Sequence, residues 1–128
     1  MGQQILIPQL GHVVLHDFQI GFTPDEPWRA RDGWVFALGD FEACLTQPGA
    51  RWDFNPYGFF IHLEDNTRVS QTYMLREPEL PLAVLRDQEC IRGSIGFEIP
   101  TQVEIVHLNY ELNDFERNRS MRIRWQVE

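Results

Sequence analysis

The sequence predicts an all-β protein, an immunoglobulin-like antiparallel β-sandwich of about seven or eight strands. Three observations carry that expectation. Apolar residues recur with period two in short runs. Each run is bounded by Gly, Pro, Asn or Asp, and no stretch sustains the period of an amphipathic helix. Strands with one wet and one dry side are satisfied by two sheets stacked face to face. A small closed barrel is the structural alternative.

The first run, His12–Phe22, sets Val14, Phe18, Ile20 and Phe22 on one side and Asp17, Gln19 and Gly21 on the other. Thr23–Pro27 breaks it, and Arg29–Gly33 extends the loop. Trp34–Thr46 begins apolar on both faces. After Gly39 it settles to Phe41, Ala43 and Leu45 inward against Asp40, Glu42 and Cys44 outward. A glycine at the change of phase predicts a bulge there. Gln47–Ala50 reads as a turn. Tyr57–Glu64 alternates through Tyr57, Phe59, Ile61 and Leu63, and Asp65-Asn66 predicts a tight hairpin because both residues tolerate positive φ.

The return strand, Thr67–Leu75, offers Val69, Tyr73 and Leu75 to one side. Pro78 and Pro81 restrict Leu82–Leu85 to a short edge segment. Arg86–Glu89 is a polar turn. Cys90–Ile99 alternates most regularly, with Ile91, Ile95, Phe97 and Ile99 inward and Arg92, Ser94 and Glu98 on the wet face, and Pro100 ends it. Val103–Leu112 is a strand whose apolar set shifts phase between Ile105 and Val106. Asn113–Arg119 is a charged link with room for a short helical turn. Met121, Ile123, Trp125 and Val127 then predict an extra C-terminal strand over 120–127.

At 128 residues the chain is read as one domain, 1–128. All 11 basic residues are Arg, and 19 acidic residues bring the net charge to −8, which argues against a nucleic-acid partner. No apolar run approaches the roughly 20 residues of a membrane span. Met1–Pro8 has neither a basic n-region nor a long apolar stretch, so the chain as written is expected in the cytoplasm. A leader removed upstream would make it secreted or cell-envelope. The two cysteines, Cys44 and Cys90, allow one bridge. Lacking a CxxC spacing or a nearby His, they are expected as plain thiols.

The stretch Leu85-Arg86-Asp87-Gln88-Glu89-Cys90-Ile91-Arg92-Gly93-Ser94-Ile95-Gly96-Phe97-Glu98-Ile99-Pro100 carries a resemblance. A polar turn ending in Glu, an apolar residue, Gly and an alternating strand closed by Pro resembles a family of small bacterial immunoglobulin-like domains. That family includes the mycobacterial immunoprotective extracellular protein and many secreted or lipid-anchored proteins of unassigned role. Leu10–Val14 with Asp17–Ile20 resembles its opening strand pair, Trp34–Leu38 its central strand, Gly58–Asp65 its hairpin and Val106–Tyr110 its final strand. The likeness spans roughly residues 10–112 as a pattern, and a shared pattern transfers fold rather than function. Where members carry an Asn after the central strand, this chain has Thr46-Gln47-Pro48-Gly49. The resemblance implies a sandwich and no catalytic residues.

Binding residues are sought among loop aromatics. Trp28, Trp52, Phe54 and Tyr57 sit among turn residues, where exposed rings stack on a sugar or a partner surface. The bland counterpart is that these rings fold back to cover the open end of the sandwich. His12 and His16 on a strand would stand roughly 13 Å apart, too far to share a metal. Cys90, His107 and Met121 are spread too widely for a blue-copper set. Asp25, Glu26, Asp32, Glu64, Asp65, Asp87 and Glu89 are abundant loop carboxylates, but no segment has EF-hand spacing. Arg117, Arg119, Arg122 and Arg124 form a local basic patch, read as a solvated face. Asn118-Arg119-Ser120 fits the glycosylation pattern and is read as idle.

None of Ser70, Ser94 and Ser120 lies in a nucleophile elbow, and no glycine-rich loop precedes a helix. The chain is therefore expected to be a non-enzymatic binding or scaffold domain without cofactor or metal. Its expected partner is another protein, with a second copy of itself included. A carbohydrate-binding module using Trp28, Trp52, Phe54 and Tyr57 is the alternative. A small hydrolase or metal enzyme built on His62, His107 and loop carboxylates is the second alternative.

Overall fold

In the computed structural model, the described residues are 2–24, 29–72, 76–114 and 118–127. Ten strands are described: β1 (Gln3–Ile7), β2 (Gly11–Ile20), β3 (Trp34–Leu45), β4 (Trp52–Phe54), β5 (Phe59–Leu63), β6 (Arg68–Ser70), β7 (Ala83–Leu85), β8 (Cys90–Pro100), β9 (Ile105–Asp114) and β10 (Arg119–Trp125). They form a sheet in the order β1-β2-β3-β8, a second in the order β10-β9-β5-β6, and a two-stranded ribbon β4-β7. The protein is an all-β sandwich, as the alternation predicted. Every pairing between these named strands is antiparallel.

The count exceeds seven or eight because two short elements, β1 and β4, were not legible locally. β1 folds back onto β2 through Pro8-Gln9-Leu10, where Gln9 takes φ 65° and Leu10 N donates to Ile7 O at 3.1 Å. β4 exists only because β7, some thirty residues on, lies beside it with Trp52 opposite Leu85. Its sequence alone read as turn.

Two phase assignments are corrected. In β2 the buried residues are Val13, Leu15 and Phe18, while Val14 is half-buried and Ile20 is exposed. A register shift between Leu15 and Asp17 puts His16 in a bulge, which moves the inward set from odd to even positions. The bulge predicted at Gly39 therefore falls on the partner strand. Gly39 itself is needed because a Cβ there would lie 2.5 Å from the Phe41 ring. Tyr57, placed in an alternating strand by the sequence, instead sits in a 3-10 turn, Pro56–Gly58, before β5. Pro56 supplies the φ that such a turn needs, and Asn55 Oδ1 accepts from Tyr57 N at 2.9 Å.

Other expectations hold. Asn66 turns the β5–β6 hairpin at φ 70°, and the phase shift read at Val106 appears as a register shift between β5 and β9. Phe41, Ala43 and Leu45 point inward from β3, and Ile123, Trp125 and Val127 are buried at the C-terminal end. The return strand is described only as Arg68–Ser70, with Tyr73 and Leu75 outside the described residues. The charged link is strand as far as Asp114, and 115–117 lie outside the description.

The core is aromatic. Phe41 from the first sheet meets Phe59 and Trp125 from the second at ring-centroid distances of 4.3 and 5.5 Å. Phe59 also packs on Tyr110 at 4.4 Å, and Phe54 stacks on Tyr110 at 5.5 Å. The first sheet is tied at its β1 edge and covered at its β8 edge. Trp125 Nε1 donates to Gln3 O at 3.1 Å, tying β10 to β1. Arg76–Leu80 runs along β8, with Ser94 N donating to Pro78 O at 2.8 Å and Leu80 N to Ser94 O at 3.0 Å. Ser94, expected on a wet face, is buried under this segment, and its hydroxyl donates to Arg76 O at 2.5 Å. Gly93 permits the approach, since a Cβ there would lie 2.4 Å from Leu80 N. A covered edge removes a template for strand-to-strand aggregation.

Candidate functional site

The sandwich leaves a groove of about 830 Å³ between the β4–β7 ribbon and the second sheet. Leu82, Ala83 and Val84 form one wall; Phe60, Ser70 and Leu112 contribute to the other; Tyr57 and Gly58 close one end. Gly58 is required at that end, because a Cβ would come 2.3 Å from Glu111 O. The turn is held from below as well. The buried Tyr110 hydroxyl donates to Asn55 O at 2.9 Å, and burial pushes this phenol far above its usual pKa, so it stays protonated.

Tyr57 and Leu82 are each 69% exposed and Val84 is 47% exposed. Among the described residues these are three of six exposed large apolar side chains, and all three line one groove. Scattered singly, such residues need no explanation; gathered, they mark a contact surface. The charges at the rim are mutually paired. Arg68 and Arg122 both reach Glu111 Oε1, at 3.1 and 3.3 Å, and Arg51 reaches Asp53 at 2.9 Å. Arg68 also lies 3.6 Å above the Phe60 ring.

The four aromatic residues singled out in the sequence divide. Tyr57 is exposed at the groove. Trp52 (3% exposed) and Phe54 (0%) are core residues, packed on each other at 5.4 Å beneath it. Once β4 pairs with β7, alternation turns both rings inward and only Asp53 outward. Trp52 does not reach the groove, while Phe54 contributes to its lining without exposing its ring. Trp28 lies outside the described residues.

His62 and His107, on separate strands, are brought directly opposite one another on the outer face of the second sheet, with ring centroids 5.1 Å apart. Neither lines the groove. Asn109, fully buried, places Nδ2 3.0 Å from His107 Nδ1. Burial, then the charges of Arg124 and His62, lower the His107 pKa below its usual 6.5. The unfolded chain therefore takes up this proton first as pH falls through about 6.5, and stability drops from there down to the lower folded value. His107→Gln is expected to lose less stability than the parent between pH 7 and pH 5 in urea melts. Equal losses in the two proteins would exclude His107 as the cause.

The outer face of the first sheet carries a third grouping. Cys44 and Cys90 form a disulfide, which corrects the expectation of free thiols. They are register partners on adjacent strands, Cα atoms 4.1 Å apart, a proximity hidden by 46 residues of separation. Beside them, His16 Nε2 lies 2.7 Å from Glu42 Oε1, and Glu42 Oε2 lies 3.8 Å from Cys44 Sγ. Arg92 holds Asp40 through both guanidinium contacts, at 3.2 and 2.9 Å, and this raises the guanidinium pKa further.

Fold and surface together define a small antiparallel β-sandwich with one apolar side groove. Solved structures share that fold. A putative lipoprotein (ycdA) of Bacillus subtilis matches with TM-score 0.71 and 12% identity over 98% of this chain, which spans 38% of the Bacillus protein's length. The secreted Mycobacterium tuberculosis protein MPT63 matches with TM-score 0.63 and 10% identity over 99% of this chain and 92% of its own. A functionally unknown Listeria monocytogenes protein matches with TM-score 0.65 and 6% identity over 98% of this chain and 82% of its own. The sequence resemblance to the MPT63-like fold is thus met by the structure. No family model matches the chain, and no curated protein matches it. Among the described residues, no helix is long and apolar enough to cross a membrane.

Proposed function

We propose that the chain is a single, non-enzymatic, immunoglobulin-like domain that binds an extended apolar segment of a partner protein in the groove between β7 and the second sheet. The observation that carries this is the convergence of Tyr57, Leu82 and Val84 on one concavity. Paired charges at the rim leave the interior apolar and set the edge of the footprint. A catalytic reading finds less support, because none of the described histidines lines the concave surface. A sugar platform is left with Tyr57 alone among the described rings it would use.

Panning a random linear-peptide library against the intact chain tests the proposal. Enriched peptides are expected to carry an apolar anchor and to bind the Tyr57→Ser/Val84→Asp variant at least about tenfold more weakly, the scale of one lost anchor side chain. Peptides indifferent to both substitutions, or no enrichment at all, would overturn it. Sedimentation of the same pair identifies a self-associating version: a dimer in the parent that dissolves in the variant makes the occupant a second copy.

A further inference from the structure

Three side chains able to ligate zinc meet on the outer face of the first sheet, and none of them lines the groove. The Glu42 carboxylate, Cys44 Sγ and Cys90 Sγ all lie within 4.8 Å of one another. His12 is the register partner of Cys44 on β2, so His12, Cys44 and Cys90 stand in one row across three adjacent strands. Cβ atoms directly opposite on adjacent strands stand about 4.5–5.5 Å apart, so Cys44 and Cys90 share one ion, whereas His12, two strand spacings or roughly 10 Å from Cys90, stands outside the donor group. This row was not visible in the sequence, where the relevant histidine pair appeared to be His12 and His16 on one strand.

We propose that, with the disulfide reduced, Cys44, Cys90 and Glu42 bind a thiophilic divalent cation of the zinc type, so that the bridge and the metal are alternative occupants of one site. Two thiolates and one carboxylate make three protein donors, and a solvent oxygen completes the four-coordinate sphere zinc takes. Ligand atoms around such an ion sit roughly 3.3–3.8 Å from one another, and Glu42 Oε2 already stands 3.8 Å from Cys44 Sγ. Breaking the bridge frees the two sulfurs to part to that spacing. The frame itself does not have to form, because β3 is paired on both sides along this row.

The surroundings favour the ion. His16 Nε2, 2.7 Å from Glu42 Oε1, orients the carboxylate so that its other oxygen faces Cys44, a positioning role outside the ligand set. Arg92, one row away, is engaged with Asp40. Cys44 is buried and Cys90 exposed, so a cation enters from the Cys90 side. The chemistry balances in two steps. A dithiol reductant delivers two electrons and two protons, giving two Cys–SH groups and the oxidised reductant. The cation then displaces the two thiol protons to solvent and binds the two thiolates together with a Glu42 carboxylate oxygen.

The test titrates Zn²⁺ and Co²⁺ into the intact chain, oxidised or reduced with a phosphine, with strand content followed by circular dichroism. One equivalent is expected to bind the reduced chain and none the oxidised chain. Cobalt is expected to show thiolate-to-metal charge transfer, and diamide to expel the ion as the bridge re-forms. Glu42→Gln is expected to weaken zinc binding roughly tenfold or more. Binding that survives Cys44→Ser/Cys90→Ser, or equal uptake by both redox forms, overturns the site. So does a reduced chain that takes up no stoichiometric metal, or one that unfolds and is not restored by zinc.

Discussion

Replacing Phe59 by alanine is expected to lower the unfolding free energy by about 3–5 kcal/mol, a large share of the stability of a domain this size. Phe59 is 1% exposed and contacts rings from both sheets: Phe41 at 4.3 Å, Tyr110 at 4.4 Å, and Phe54 and Trp125 at 6.4 and 6.3 Å. The cost has two sources. Transfer free energy of the ring is lost, and the cavity left between four rigid neighbours cannot collapse easily. Urea unfolding followed by tryptophan fluorescence reads the effect. A loss below about 1 kcal/mol would mean that the two sheets are not joined through this ring.

Removing the Cys44–Cys90 bridge by Cys44→Ser/Cys90→Ser is expected to cost about 2–4 kcal/mol, chiefly by freeing the unfolded chain. The two sulfurs close a loop across 46 residues of sequence, while in the folded state β3 and β8 are paired along their whole shared length. The native backbone therefore has little reason to move. Thermal melts of parent and variant, with the parent measured before and after reduction, check the value. Reduction of the parent is expected to move its midpoint to that of the double variant, in the absence of added metal. A variant as stable as the oxidised parent would locate the bridge in a chain already held by other contacts.

The outer faces of the two sheets divide the remaining chemistry. One presents the bridge with Glu42, His16 and the Asp40–Arg92 pair; the other presents His62 and His107 beside Arg68 and Arg124. The first set contributes nothing to the groove, whereas Arg68 of the second lines it and is the register partner of His62. Partner binding in the groove and redox effects at the Cys44–Cys90 bridge are therefore separable by mutation, since sites without shared partners tend to act independently.

Much of this molecule was legible in local patterns. The all-β character, the inward sets of β3, β8 and β10, the Asp65-Asn66 turn and the phase shift at Val106 all follow from period-two alternation and turn chemistry, which neighbours in sequence decide. Where a strand lacked its own signal, as in β4, or where a bulge at His16 changed the phase, the alternation misled. There the hydrogen-bonding partner lies tens of residues away, and pairing energy overrides local preference. Tyr57, assigned to a strand face, became the exposed rim of the groove because Pro56 and the Asn55 cap impose a turn one step earlier.

The sites depended on registration to a still greater degree. That Cys44 faces Cys90, that His12 stands beside them, that His62 meets His107 and that Trp52 and Phe54 turn inward are each consequences of which residues stand opposite across a ladder. Alternation of greasy and polar side chains says which face a residue takes, since each strand must hide one side from water. It carries no information about the neighbour on the next strand. That is set by the closure of long loops and by the single stacking of two sheets that fills the space around Phe41, Phe59 and Trp125.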